Sequence, residues 1–222
     1  MNYLAHGWRY LLLHENDVDT PYFLAGTAAP DWLSVIDRRM RLRSRTVGQY
    51  VDDADPLRAA FARGVMQHHA DDDWFHQQQV FVELSLQFTL QIRDLLAPDD
   101  GFRPSFVGHI LVELLLDACL DEDHPKLLPA YYAALAKLDP HLVQQHINSL
   151  ATQQSDLIVT FLPRFQAERF LADYRDDSRL LYRLNQVMRR AKLPPLPDSF
   201  VQLLPDARRA VRERRDQLLP AA

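Results

Sequence analysis

The stretch from Pro104 to about Leu120 constrains the fold of this chain more than any other. Ile110, Leu111, Val112, Leu114, Leu115 and Leu116 put apolar side chains on nearly every face of a helix. A helix apolar all round is a buried helix, so other helices must surround it. It nevertheless carries His109, Glu113 and Asp117, spaced by four. At about 3.6 residues per turn, that spacing lines side chains along one stripe. Carboxylates in an interior are costly unless a cation, a proton or a metal ion meets them. His109, one turn before Glu113, favours the ion.

The helical period recurs along almost the whole sequence. It predicts helices over 3–13, 33–50 (a basic, amphipathic segment), 56 to about 79, 82–96, 104–120, 179–191 and 206–218. Pro125 or Pro129 opens a further helix ending near Leu138, and Asp139-Pro140 leads a long one toward Leu171, kinked at Pro163. Residues 22–32, around Gly26 and Pro30, read as a turn-rich loop. Pro98 through Gly101 reads as a stop, and Pro194, Pro195 and Pro197 as a stiff connector. No segment alternates over a strand's length. The expectation is an all-α fold without sheet: one multi-helix bundle domain over 1–222, with a metal-site half of about 1–120 and a helical C-terminal half of about 121–222.

With 222 residues and 47% of them apolar, the chain can bury a core without a disulfide or metal staple. Cys119 is the single cysteine, which excludes an internal disulfide and a cysteine-built zinc site. The net charge of −5 argues against a general nucleic-acid binder. Arginines 38–45 and 208–215 read most simply as solvated helix faces, with a phosphate or nucleic-acid role as the alternative. The apolar runs are too short for a membrane span, and the start lacks signal-peptide features. A cytoplasmic protein is expected, of unassigned oligomeric state.

A second stripe joins the first. In Gly64-Val-Met-Gln-His68-His69-Ala-Asp71-Asp72-Asp73-Trp-Phe-His76, the residues His68, Asp72 and His76 again lie four apart on a predicted helix. Two such helices side by side would bring imidazoles and carboxylates into one cavity, a usual way to build a metal site in a bundle. Asp31 in the 26–32 loop and His6 in the first helix complete the candidates. The plainer reading keeps the histidines as hydrogen-bonded core residues, pairs Asp72 with Arg58 or Arg63, and has Asp31 cap a helix starting at Trp32. His69 and Asp73 form a second pair, read as solvated, and His14, His124, His141 and His146 read as surface residues. No Gly-rich phosphate loop, Gly-x-Ser-x-Gly elbow or His-Glu-x-x-His motif is present.

The opening Met1-Asn-Tyr-Leu-Ala-His6 resembles the start of acyl carrier protein phosphodiesterases. The block Gly26 to Trp32, then Gly64-x-x-x-His68-x-x-x-Asp72-x-x-x-His76, then His109-x-x-x-Glu113, resembles the zinc-dependent phospholipase C group. Both are all-α metallohydrolases that cleave phosphodiesters, and the resemblance covers residues 1 to about 120 in patches. It implies that Asp31, His68 and Asp72 surround one metal and that His76, His109 and Glu113 hold a second. His6 would lie near a third position that Asp72 can bridge. The phospholipase pattern has a further histidine between the loop aspartate and the His-x-x-x-Asp helix; here residues 32–67 contain none.

The expected function is a metal-dependent phosphodiester hydrolase with about two divalent ions, zinc, manganese or iron, and with Asp72 or Asp31 bridging or acting as base. Its substrate would be a phosphoester, with a carrier protein or a phospholipid head group among the options. The rival expectation is a helical partner-binding protein with a vestigial or structural metal site. A third reading is a metal-free helical protein.

Overall fold

The structure, a computed structural model, describes residues 1–15, 17–96, 101 and 103–219. Its helices are α1 Tyr3–His14, α2 Thr20–Ile36, α3 Ser44–Val47, α4 Pro56–His76, α5 Gln79–Leu95 and α6 Pro104–Asp123. They continue as α7 Leu127–Leu135, α8 Pro140–Leu150, α9 Ile158–Glu168, α10 Asp177–Arg190, α11 Leu204–Glu213 and α12 Arg215–Leu218, with short 3-10 turns between. No strand occurs among the described residues, so the protein is all-α, as its periodicity predicts. No helix of the described residues is long and apolar enough to cross a membrane.

Packing divides the chain into two compact units, neither of them continuous in sequence. One contains Met1–Asn2, Trp74–His124 and Phe170–Ala222; the other contains Tyr3–Asp73 and Pro125–Arg169. In the first unit α5 lies along α6, and α11 covers α6 from another side. Gly108 permits the α5–α6 approach, since a Cβ there would fall 2.8 Å from the Ser85 carbonyl oxygen. Along α6, Leu111 through Asp121 is buried without interruption, which is the environment its all-round apolarity demands.

In the second unit α1, α2 and α7 pack mutually, and α8 pairs with α9. Trp32 is fully buried against Phe161 and Phe165. α2 and α4 cross closely: a Cβ on Gly64 would lie 2.1 Å from Phe23 O, and one on Gly26 would lie 2.1 Å from Phe61 O. Only glycine fits at either position.

Several boundaries differ from the sequence expectation. Residues 22–32 are not a loop; they lie inside α2, with Pro30 within the helix. Gly26 serves the helix crossing rather than a turn. The basic segment 33–50 is not one helix. Asp37 ends α2 by accepting the Arg39 amide at 3.0 Å, and its carbonyl takes the Met40 amide. Burial then alternates, with Met40 and Leu42 inside and Arg41 and Arg43 outside, the pattern of an extended chain. The expected long helix from Asp139 breaks between α8 and α9. There the Asn148 side chain bonds both the amide and the carbonyl of Ser155, and Pro163 lies within α9. α7 starts at Leu127, with Pro129 in its first turn, where an amide has no helical acceptor to lose. The helix predicted over 206–218 is divided into α11 and α12. The stop placed at 98–101 falls outside the described residues except for Gly101, which takes a positive φ of 70°.

Candidate metal centres

The second unit gathers His6 from α1, Asp31 from α2 and His68 from α4. One ligand atom from each lies within 4.8 Å of the others. His6 and His68 are buried and stack at 4.2 Å between ring centroids. Each has its Nδ1 engaged by an acceptor. His68 Nδ1 faces the Thr27 carbonyl at 2.8 Å, and His6 Nδ1 faces Asp71 Oδ2 at 3.1 Å. Gln67 in turn holds the other Asp71 oxygen at 2.5 Å. With Nδ1 engaged by an acceptor, Nε2 is the nitrogen each ring has left to offer an ion, unprotonated once the ring is neutral. These two atoms converge on one carboxylate: His6 Nε2 lies 3.4 Å from Asp72 Oδ1 and His68 Nε2 lies 3.4 Å from Asp72 Oδ2. The His6 Nε2 contact lacks hydrogen-bond geometry, leaving a fully buried nitrogen without a hydrogen-bond partner.

The electrostatics are those of a compressed charge cluster. Burial opposes the charged form of His6, but its contacts to Asp71 and Asp72 outweigh that, and its pKa is raised to about 9. His68 goes the other way. Burial, together with the neighbouring His6, lowers it to about 3 and keeps that ring neutral. Asp72 is held well below the usual carboxylate range, because the two imidazoles prevail over its desolvation.

The first unit gathers the second set: His76 at the end of α4, and His109 and Glu113 on α6. Both imidazoles point Nε2 at a single oxygen, Glu113 Oε1, at 2.9 Å from His76 and 3.3 Å from His109. The α-amino group of Met1 donates to the same oxygen at 3.2 Å. Phe81 packs edge-on against His109 at 4.9 Å, and the His76 and His109 rings lie 4.7 Å apart. Burial raises the cost of the Glu113 charge, yet these three cationic or polar neighbours hold its pKa well below the ordinary value.

All seven sequence candidates thus fall into two groups, one per unit. His6 belongs with Asp31, His68 and Asp72. Asp31 sits in mid-helix, neither in a loop nor at a helix start, so the expected capping role does not apply. The cations considered for Asp72 are engaged elsewhere: Arg58 pairs with Asp53 and Arg63 with Asp19, at 2.8 and 3.1 Å. Asp117, third on the α6 stripe, accepts from the Asn2 side chain at 2.8 Å. Asp71 escaped the sequence reading, because its place beside His6 comes from the packing of α1 on α4 and not from spacing. Two histidines read as solvated or surface are not. His69 bonds the Leu42 carbonyl at 2.7 Å, and His146 is buried. No protein family, curated protein or solved structure matches the chain.

Proposed function

We propose that the protein is a metal-dependent phosphoester hydrolase whose ions bind at His6, Asp31 and His68, with Asp72 beside them, and at His76, His109 and Glu113. What carries the reading is the pair of imidazoles in the second unit. Both are locked through Nδ1, and both turn Nε2 toward one ionised carboxylate. A carboxylate or carbonyl behind a ligating histidine is the usual outer shell of a metal site. Three protein donors leave coordination positions for water and substrate. Mixed nitrogen and oxygen donors suit zinc, manganese or iron. A bound ion would polarise a phosphoryl oxygen and lower the pKa of its water. Asp72, beside both Nε2 atoms, or Asp31 would bridge the ions or orient that water, and the two carboxylates would balance the ions' charge.

The test is elemental analysis of the purified full chain, followed by hydrolysis of bis(4-nitrophenyl) phosphate with zinc, manganese or iron(II) added in turn. Ion content near stoichiometric and turnover dependent on it support the reading. Neither ion nor turnover refutes it. The rival reading, a helical partner-binding protein with a structural ion, draws on one observation. Val82, Leu86 and Leu90, one turn apart on α5, are 53%, 57% and 50% exposed. Bound ion with no turnover would favour it.

A further inference from the structure

The arginines of this chain are treated in two ways. Those near the C-terminus are neutralised by carboxylates: Arg208 by Asp177, Arg209 by Asp206, Arg212 by Glu122, Arg214 by Glu83 and Arg215 by Asp216. In the run at 38–45 the pairing is incomplete. Arg39 is held by Asp37, but Arg41, Arg43 and Arg45 form no ion pair among the described residues, and all three are exposed. In a chain of net charge −5, three neighbouring arginines left without carboxylates are a concentrated positive edge. Such an edge carries a positive potential that attracts anions, most strongly at low salt.

The segment bearing them is clamped rather than loose. Thr152 exchanges bonds with Arg41, its amide donating to the Arg41 carbonyl at 3.0 Å and its hydroxyl accepting the Arg41 amide at 3.1 Å. From the other side His69 bonds the Leu42 carbonyl at 2.7 Å. Met40 and Leu42 are buried below, which turns Arg41 and Arg43 outward. Through His69 the segment is one imidazole removed from His68, the rings of the two histidines lying 5.6 Å apart. Three arginines within five residues make a short positive edge, enough for one or two phosphate groups, and the net charge of −5 disfavours a long polyanion.

We propose that Arg41, Arg43 and Arg45 form an anion-binding rim beside the His6–Asp31–His68 centre that holds a second phosphate group of a small phosphorylated substrate. Guanidinium forks bind phosphate oxygens in pairs, which adds geometric selectivity to charge. The rim rests on the hydrolase reading only for the word substrate; anion binding itself does not require turnover.

Inorganic pyrophosphate is titrated calorimetrically into the full chain and into the double variant Arg41→Gln/Arg43→Gln, at low and at physiological salt. Heat from chelation of any bound ion is common to both proteins. Expected is a binding event that weakens at least tenfold in the double variant and weakens with salt, while ion content and melting temperature stay unchanged. Equal affinity in the two proteins, or no binding by either, overturns the rim. A single-stranded oligonucleotide that displaces pyrophosphate with far higher affinity overturns the small-substrate assignment. Arginine-dependent pyrophosphate binding in a protein that takes up no metal and hydrolyses no phosphoester leaves the rim standing and removes the hydrolase.

Discussion

Replacing Gly64 by alanine tests whether the α2–α4 crossing builds the first metal centre. The added Cβ would sit 2.1 Å from the Phe23 carbonyl oxygen, 2.9 Å from the Thr27 nitrogen and 3.0 Å from the Gly26 Cα. All three are backbone atoms of a packed helix, so no side chain can swing away. Ordinary contact begins at 3.4 Å, and the helices must part by more than an ångström. Overpacking of this kind costs about 1–3 kcal/mol, toward the upper end for backbone clashes, against about 1 kcal/mol gained from alanine's helix propensity. A net loss of about 2 kcal/mol lowers the melting temperature of a chain this size by about 4–8 °C. The site should feel it as well. Gly64 is one turn before His68, and Gly26 adjoins Thr27, whose carbonyl orients that histidine at 2.8 Å. Melting followed by circular dichroism, together with zinc uptake, reads both effects. Gly48→Ala is the control, since its Cβ would meet only the Met66 side chain, at 3.9 Å. A Gly64→Ala protein that melts and binds zinc like the Gly48→Ala control would refute the reasoning.

Three further outcomes are expected. Asp31→Asn should leave the stability of the chelator-treated protein within about 1 kcal/mol of wild type, because Asp31 caps no helix, while zinc affinity falls at least tenfold in equilibrium dialysis; unchanged affinity would remove Asp31 from the site. Asp72→Ala and His109→Ala should each lower the ion content of the purified protein without loss of helicity by circular dichroism, since apolar burial carries the fold; unfolding of both variants would point to a structural role instead. Ion binding should also release protons. The His6 pKa of about 9 means its ring is protonated at pH 7, and ligation through Nε2 requires that proton to leave. Affinity should therefore rise about tenfold per pH unit from 7 until it levels near 9. Calorimetry in buffers of different ionisation enthalpy should find about one proton released at pH 7 for the ion bound at the His6 centre, and none released would contradict the assigned charge.

The helices and the candidate ligands were legible because both are written in local spacing. Apolar positions recurring with the helical period predict α1, α4, α5, α6 and α10 closely, and His68, Asp72, His76, His109 and Glu113 stand out because four-residue spacing stacks side chains on one face. Asp55-Pro56 marks the start of α4 for the same reason: Asp55 Oδ1 accepts the Leu57 amide at 3.0 Å. What sequence could not supply was the meaning of residues whose role is set by a partner far along the chain. Gly26 and Pro30 look like punctuation, yet Gly26 is small because α4 passes over it, and that contact exists only after folding. Segment 37–43 has enough arginine and leucine to read as an amphipathic helix. Its extended form is decided by Asp37 closing a turn and by His69 and Thr152 holding the backbone from opposite sides. The division of the ligands followed the same rule. Spacing placed His68 and His76 on one stripe of one helix, but packing assigned them to different units, because His6 and Asp31 reach α4 near its middle while α6 meets its last turn. Local spacing chooses which side chains share a face; only the tertiary contacts choose what that face meets.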